Sequence, residues 1–342
     1  MVFNTEMAME TDDRRPKVTM EQYKIKENPN DYGFSDETFN REKFKKNLKI
    51  IPVKREDYEL EFDIIGLTPA IANAFRRVMI SEVPSMAIEK VHIYNNTSII
   101  QDEVLAHRIG LIPLKADPRL FEYKLDEKDE EGNELDTLEY RLDIKCSWKN
   151  KEVKDPRNID AMYKNHNVYT EHIKWVPRGK QGTLFTESQV GPSDDKILIS
   201  KMRPGHELNL KLLAIKGIGK DHAKFSPVSL ASYKLLPEIK LLKQISGKDA
   251  YQLQKCFSPG VIEIDKSGCA FVKNARYDNC SRNVYRYPEL AKNVELTRIR
   301  NHFVFNIESL GAYKPEDIFV EAVKILKKKA VDLLKELDFD GK

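Results

Sequence analysis

The C-terminal segment from Phe303 onward constrains the fold more than any other part of the chain. Phe303, Phe305 and Ile307 recur at the two-residue period of a strand, Gly311 breaks it, and Pro315-Glu316-Asp317 opens a helix. Phe319, Ala322, Val323, Leu326, Ala330, Leu333, Leu334 and Leu337 then recur three and four residues apart, forming one apolar stripe. The opening carboxylates suit the positive end of the helix dipole, and Lys327-Lys328-Lys329 sits well inside the helix. A helix of more than about 20 residues is about 30 Å long, the width of a small domain. The stripe therefore either covers the chain's own sheet or is shared with a partner chain. Periodicity is the same in both cases.

A second amphipathic element lies nearer the start. Tyr58-Glu59-Leu60-Glu61-Phe62-Asp63-Ile64 alternates apolar and acidic residues, as in a strand with one buried face. Thr68-Pro69 follows, a hydroxyl at the N-cap and a proline at the first helical position. These predict a helix to about Ser81, stopped by Pro84, with Ile71, Ala74, Phe75, Val78 and Met79 on one face. Two further alternating strands are Leu138 to Cys146 and, after a Pro204-Gly205 turn, Glu207 to Leu212. Residues 1–44 read as a mobile N-terminal arm. The acid-rich run Asp126 to Glu139 repels itself and reads as a solvated loop. Gly247, Pro259-Gly260, Gly268 and Pro288 make 243–289 loop-rich. Helices at the two ends with strands between them make the class α+β.

Composition narrows the function classes. The 342 residues favour two domains over one. A balance of 57 Lys and Arg against 54 Asp and Glu leaves a formal charge of +3, unlike the strongly basic domains that bind nucleic acid. No apolar run approaches the roughly 20 residues that span a bilayer, and Met1 to Glu10 lacks the apolar core of a signal peptide. No membrane association and no secretion are therefore expected.

The candidate chemical motifs are weak. Cys146, Cys256, Cys269 and Cys280 are widely spaced, without the close pairs that preorganise a zinc site, so no metal is expected. Lys216-Gly217-Ile218-Gly219-Lys220 contains Gly-x-Gly, but no Ser or Thr follows the lysine and no third glycine completes a dinucleotide loop. It reads as a turn or bulge, and no nucleotide cofactor is expected. Asp221, His222 and Ser226 are near in sequence, which does not make a triad; a nucleophile elbow is lacking too. Arg76, Arg77, Arg298 and Arg300 read either as a patch for nucleic acid or as interface arginines that pair with carboxylates. The many acidic residues favour the interface.

A family resemblance emerges from spaced blocks. Asn73-Ala74-Phe75-Arg76-Arg77, then Ala87, Val91 and Asn96-Thr97-Ser98, then Asp102-Glu103-Val104-Leu105-Ala106-His107-Arg108-Ile109 resemble the signature of the alpha-like subunits of cellular RNA polymerases. The block Gly217 to Val228 and the closing strand–Gly–Pro–helix resemble the same family, from about residue 45 to the end. Asn95 to Leu111 and Arg298-Ile299-Arg300-Asn301-His302-Phe303 look most like the chain shared by RNA polymerases I and III. The RNA polymerase II counterpart carries a clustered zinc site and some archaeal relatives an iron–sulfur cluster; the cysteine spacing here matches neither.

The resemblance implies a non-catalytic assembly subunit of RNA polymerases I and III, in the nucleus and nucleolus. Those enzymes transcribe ribosomal RNA, 5S rRNA and tRNA genes. It implies a dimerisation domain split between 45–85 and 290–342, and an inserted domain over 86–289 with 243–289 as its annex. Ile71, Ala74, Phe75, Val78, Met79, Phe319, Val323, Leu326 and Leu333 would face a smaller alpha-like subunit. Arg76, Arg77, His222, Lys224 and Phe225 would dock the second-largest subunit and the small zinc-bearing subunits, with no direct contact to nucleic acid. The alternatives are the equivalent chain of another nuclear polymerase, or a nucleic-acid-binding module.

Overall fold

The structure, a computed structural model, describes residues 16–26, 40–124, 131–149 and 162–339. Its contacts divide the chain into two units. One holds Met1–Arg55, Leu60–Asn73 and Ser232–Asn306; the other holds Glu56–Glu59, Ala74–Ala231 and Ile307–Lys342.

The first unit is built on a sheet ordered Ile25–Lys26, Lys17–Met20, Val294–Ser309, Glu59–Ile65, Lys49–Arg55, with Val228–Leu241 also paired to the long strand. Leu60, Phe62 and Ile64 are buried as the alternation predicts. Phe62 stacks on Phe305 with ring centroids 5.4 Å apart, and Tyr233 packs on Phe303 and Phe305 at 5.5 and 5.3 Å. The opposite face of strand Glu59–Ile65 is covered too, because Asp63 is also buried. Arg276 reaches it, donating from Nη1 to Asp63 at 2.7 and 3.0 Å and from Nε to Glu61 at 2.6 Å. His302 Nε2 donates to the same Asp63 carboxylate at 2.8 Å.

Two expectations change in this unit. Part of the N-terminal arm is a strand: Lys17–Met20 runs antiparallel to Val294–Ser309, with Lys17 opposite Ile299. Val18 and Met20 are buried, Lys17 pairs with Glu238 at 2.9 Å, and Tyr285 Oη donates to the Met20 carbonyl. The rest of the arm before Pro16 and from 27 to 39 lies outside the described residues. The loop-rich stretch 243–289 contains helix Lys248–Cys256 and hairpin Ile262–Ile264/Ala270–Val272. Ala250, Leu253, Cys256, Val261 and Ile262 join Val18, Met20 and Val294 in one core.

The second unit holds an antiparallel sheet ordered Lys174–Val176, Thr137–Lys145, Glu207–Ile218, Pro84–Asn96. Leu138, Tyr140, Leu142 and Ile144 interleave with Leu208, Leu210 and Leu212 in its core, closed by Leu105 and Ile109 of helix Asp102–Gly110. The described part of the acidic run departs from a solvated loop. Asp136 and Glu139 are buried, and Arg178 donates to Glu139 at 2.7 Å and to Glu131 at 3.0 Å. Lys211 also pairs with Glu131 at 2.6 Å, and Gln181 donates to the carbonyls of Glu134 and Thr137. Cations from other strands and turns answer Glu131 and Glu139, while Asp136 accepts from Asn133 and Thr137, so the buried carboxylates are paired or hydrogen-bonded. Residues 126–130 of the run lie outside the described residues.

The glycine pair near 217 has a packing cause. A Cβ on Gly217 would meet the Phe225 ring at 2.8 Å, and one on Gly219 would lie 2.2 Å from the Ile80 carbonyl oxygen. Gly217 leaves room for the Phe225 ring, and Gly219, just past strand Glu207–Ile218, lets the chain pass close to the end of helix Pro69–Ser81.

Candidate subunit interface

The C-terminal helix Pro315–Phe339 is anchored at one end and bare along the other. Ile318 and Ala322 are fully buried, and Tyr313 just before the helix is buried as well. Arg119 fixes the first turn: it pairs with Asp117 at 2.7 Å, reaches Asp317 at 3.4 Å, and lies over the Tyr313 ring at 5.2 Å. The Asp117 hydrogen bond holds the Arg119 guanidinium protonated far above its ordinary range, and burial pushes the Tyr313 phenol up. From Val320 onward much of the helix's apolar face loses its cover. Val320, Val323, Val331, Leu333, Leu334 and Leu337 are all exposed, the last three by 57–61%. A single exposed leucine is ordinary, but a contiguous exposed stripe marks a surface made to be covered.

Helix Pro69–Ser81 contributes at the anchored end. Phe75 meets Phe319 edge-on, with ring centroids 5.2 Å apart at 68°, and Ile71, Ala74, Phe75, Phe319 and Leu326 are half-buried. Lys329 pairs with Glu82 just beyond the helix at 2.7 Å. Val78 and Met79, expected among the interface residues, are enclosed by their own chain at 4% and 0% exposure. They share the stripe with Phe75 because it is wide enough to meet both the chain's own core and the surface. Val320 and Val331, absent from the expected set, belong to the exposed surface. They lie one residue off the strict stripe, which is where a broad apolar face would have shown them.

The expected docking residues divide similarly. Arg77 is exposed and Arg76 half-buried. His222 is exposed, and its Nδ1 accepts from the Lys224 backbone N–H at 3.1 Å, capping the turn Ala223–Phe225. Lys224 and Phe225 face inward. Lys224 Nζ pairs with Glu89 at 2.5 Å, donates to the Ile88 carbonyl at 3.0 Å, and lies over the Phe225 ring. Phe225 is buried, and its carbonyl accepts from Ser85 Oγ. They hold the turn against strand Pro84–Asn96 and present little surface of their own. Arg298 and Arg300 are half-buried in strand Val294–Ser309.

Among the described residues no three His, Cys, Asp or Glu side chains gather as metal ligands, and no helix is long and apolar enough to cross a membrane. All four cysteines are free thiols, and burial pushes those of Cys146, Cys256 and Cys280 up.

A family model described as the RNA polymerase Rpb3/Rpb11 dimerisation domain matches residues 61–330. The chain belongs to this family. The "DNA-directed RNA polymerases I and III subunit RPAC1" of Mus musculus is 46% identical over 339 residues, 97% of this chain and 98% of that protein. The protein of the same description from Saccharomyces cerevisiae is 50% identical over 305 residues, 87% of this chain and 91% of its own length. The "DNA-directed RNA polymerase II subunit rpb3" of Dictyostelium discoideum is 32% identical over 306 residues, 84% of this chain and 93% of its own. The Rpb3/Rpb11 match begins inside strand Glu59–Ile65 and ends within the C-terminal helix, so it includes Phe75, Phe319 and the anchored end of the stripe.

Proposed function

We propose that this chain is a non-catalytic structural subunit of RNA polymerases I and III, pairing through its terminal helices with a smaller alpha-like subunit. The observation that carries the reading is the exposed stripe from Val320 to Leu337, in a chain whose family is defined by a dimerisation domain. Each leucine moved from water into a packed interface contributes about 1.5–3 kcal/mol, so covering this face favours pairing strongly. An obligate interface of this kind buries roughly 2,000 Å² or more. The higher identity to the RNA polymerase I and III proteins than to the RNA polymerase II protein supports those two enzymes.

On this reading 45–85 and 290–342 form the dimerisation region around an insertion of 86–289. Ile71, Ala74, Phe75, Phe319, Val323, Leu326 and Leu333 line the contact, and Val78 and Met79 support it from beneath. Arg76, Arg77 and His222 meet the second-largest subunit, while Lys224 and Phe225 keep the His222 turn in place. The small zinc-bearing subunits dock on the insertion, and no group meets template, transcript or nucleotide. The chain then acts in the nucleus, including the nucleolus, in transcription of ribosomal RNA, 5S rRNA and tRNA genes.

The test is purification of the tagged chain from nuclear extract with identification of its companions. The largest subunits of both polymerase I and polymerase III are expected. Recovery of only polymerase II subunits, or of no polymerase subunit, would overturn the reading.

A further inference from the structure

A second exposed feature lies at one end of the four-stranded sheet. Strand Thr137–Lys145 leads into Ser147–Trp148, which pairs antiparallel with Tyr163–Lys164 so that Trp148 faces Tyr163. Backbone hydrogen bonds from Cys146 to His206, from Gly205 to Cys146 and from Met202 to His166 lace three segments together. On this hydrogen-bonded base Trp148 is 48% exposed, its ring edge-on to Tyr163 at 5.0 Å. The Arg203 guanidinium lies over the Tyr163 ring at 5.6 Å, and the His166 ring is 5.9 Å away.

The surroundings are cationic. Lys149 follows Trp148, Lys164 follows Tyr163, and Lys201 sits across the ladder from Asn167. These lysines and Arg203 are exposed, and none makes an ion pair among the described residues. The nearby Lys145 is answered by Glu207 at 3.2 Å. Arg203 Nη1 donates to the Tyr163 hydroxyl at 3.5 Å, which helps to orient the stacked guanidinium, and the planar fork that this leaves suits a carboxylate. A half-exposed tryptophan beside an arginine is the kind of pair that dominates a binding interface.

We infer that the Trp148–Arg203 cluster is a docking site for an acidic peptide that carries one apolar anchor side chain. The anchor lies on the Trp148 indole, and flanking carboxylates meet Arg203 and the lysines. Single-stranded nucleic acid fits less well, because it needs successive open ring faces. Here Arg203 and Trp148 flank Tyr163, so the Trp148 indole is the open face, and the chain is nearly neutral.

The experiment titrates the full-length chain, alone or with its smaller partner, into a fluorescein-labelled Asp/Glu-rich peptide with one central Phe, read by anisotropy. Saturable binding is expected, weakened at least about tenfold by Trp148→Ala, by Arg203→Gln, and by deleting the Phe from the peptide. Circular dichroism checks that both variants stay folded, as substitution of exposed side chains should allow. No peptide binding, or variants that bind like the parent chain, would overturn the proposal. So would tighter binding of a labelled oligothymidylate, which would make this a nucleic-acid site.

Discussion

Replacing Arg276 by Met removes one guanidinium while keeping most of the side chain's volume. In the native chain that group satisfies Glu61 at 2.6 Å and Asp63 at 2.7 Å, and the Arg276 and Asp63 side chains are only 13% and 10% exposed. Two unit charges about 4 Å apart attract by about 4 kcal/mol at an effective dielectric of about 20. Desolvation offsets part of this, and removing one partner of a buried pair costs about 3–5 kcal/mol, because the other is left unpaired. Urea unfolding at neutral pH, followed by circular dichroism, should show a loss in that range. Adding Asp63→Asn should recover part of it, since the stranded carboxylate is gone. The pH dependence has a definite sign. Burial raises the Asp63 pKa, but the His302 hydrogen bond and Arg276 outweigh it, and the net shift is downward from 3.8. Its stabilisation is therefore present above the unfolded pKa and is lost as pH falls through the lower folded value. In Arg276→Met acid unfolding should begin at higher pH. A loss below about 1 kcal/mol, the size of an exposed pair, would mean that the cluster is not a buried ion pair.

Three other outcomes follow from the packing. Gly219→Ala should destabilise by about 1–3 kcal/mol in the same urea assay, because its Cβ would strike the backbone oxygen of Ile80 and not a movable side chain. Phe75→Ala removes the edge-on contact with Phe319 and should cost the isolated chain about 2 kcal/mol, less than a fully buried phenylalanine would. Leu334→Asp with Leu337→Asp should leave the isolated chain's thermal midpoint within about 2 °C, since both side chains are already in water.

The regular elements were legible because their periods are long and their ends are marked. Thr68-Pro69, Gly311 and Pro315 bound helices close to where the structure has them, and Leu208, Leu210 and Leu212 alternate into the core as expected. Strand Lys17–Met20 is not legible in the sequence, because four residues carry too little period to separate from a polar arm. The acidic run misled for another reason: its charge is answered by Arg178 and Lys211, far along the chain, which local composition does not register. The Arg276–Asp63–His302 cluster is likewise joined across 213 and 239 residues of sequence. For the interface, the stripe on helix Pro69–Ser81 was readable, but not the line along it where core ends and surface begins. Val78 and Met79 fall on the core side of that line, and Phe75 lies at it.

We propose that a smaller alpha-like subunit covers the bare stripe of the C-terminal helix. Co-expression of the two chains followed by analytical ultracentrifugation measures this directly. A one-to-one complex is predicted, lost when Leu333, Leu334 and Leu337 are all changed to Asp while the chain itself stays folded. A monodisperse, well-folded chain that forms no complex with that subunit would contradict the account, as would a complex indifferent to the triple substitution.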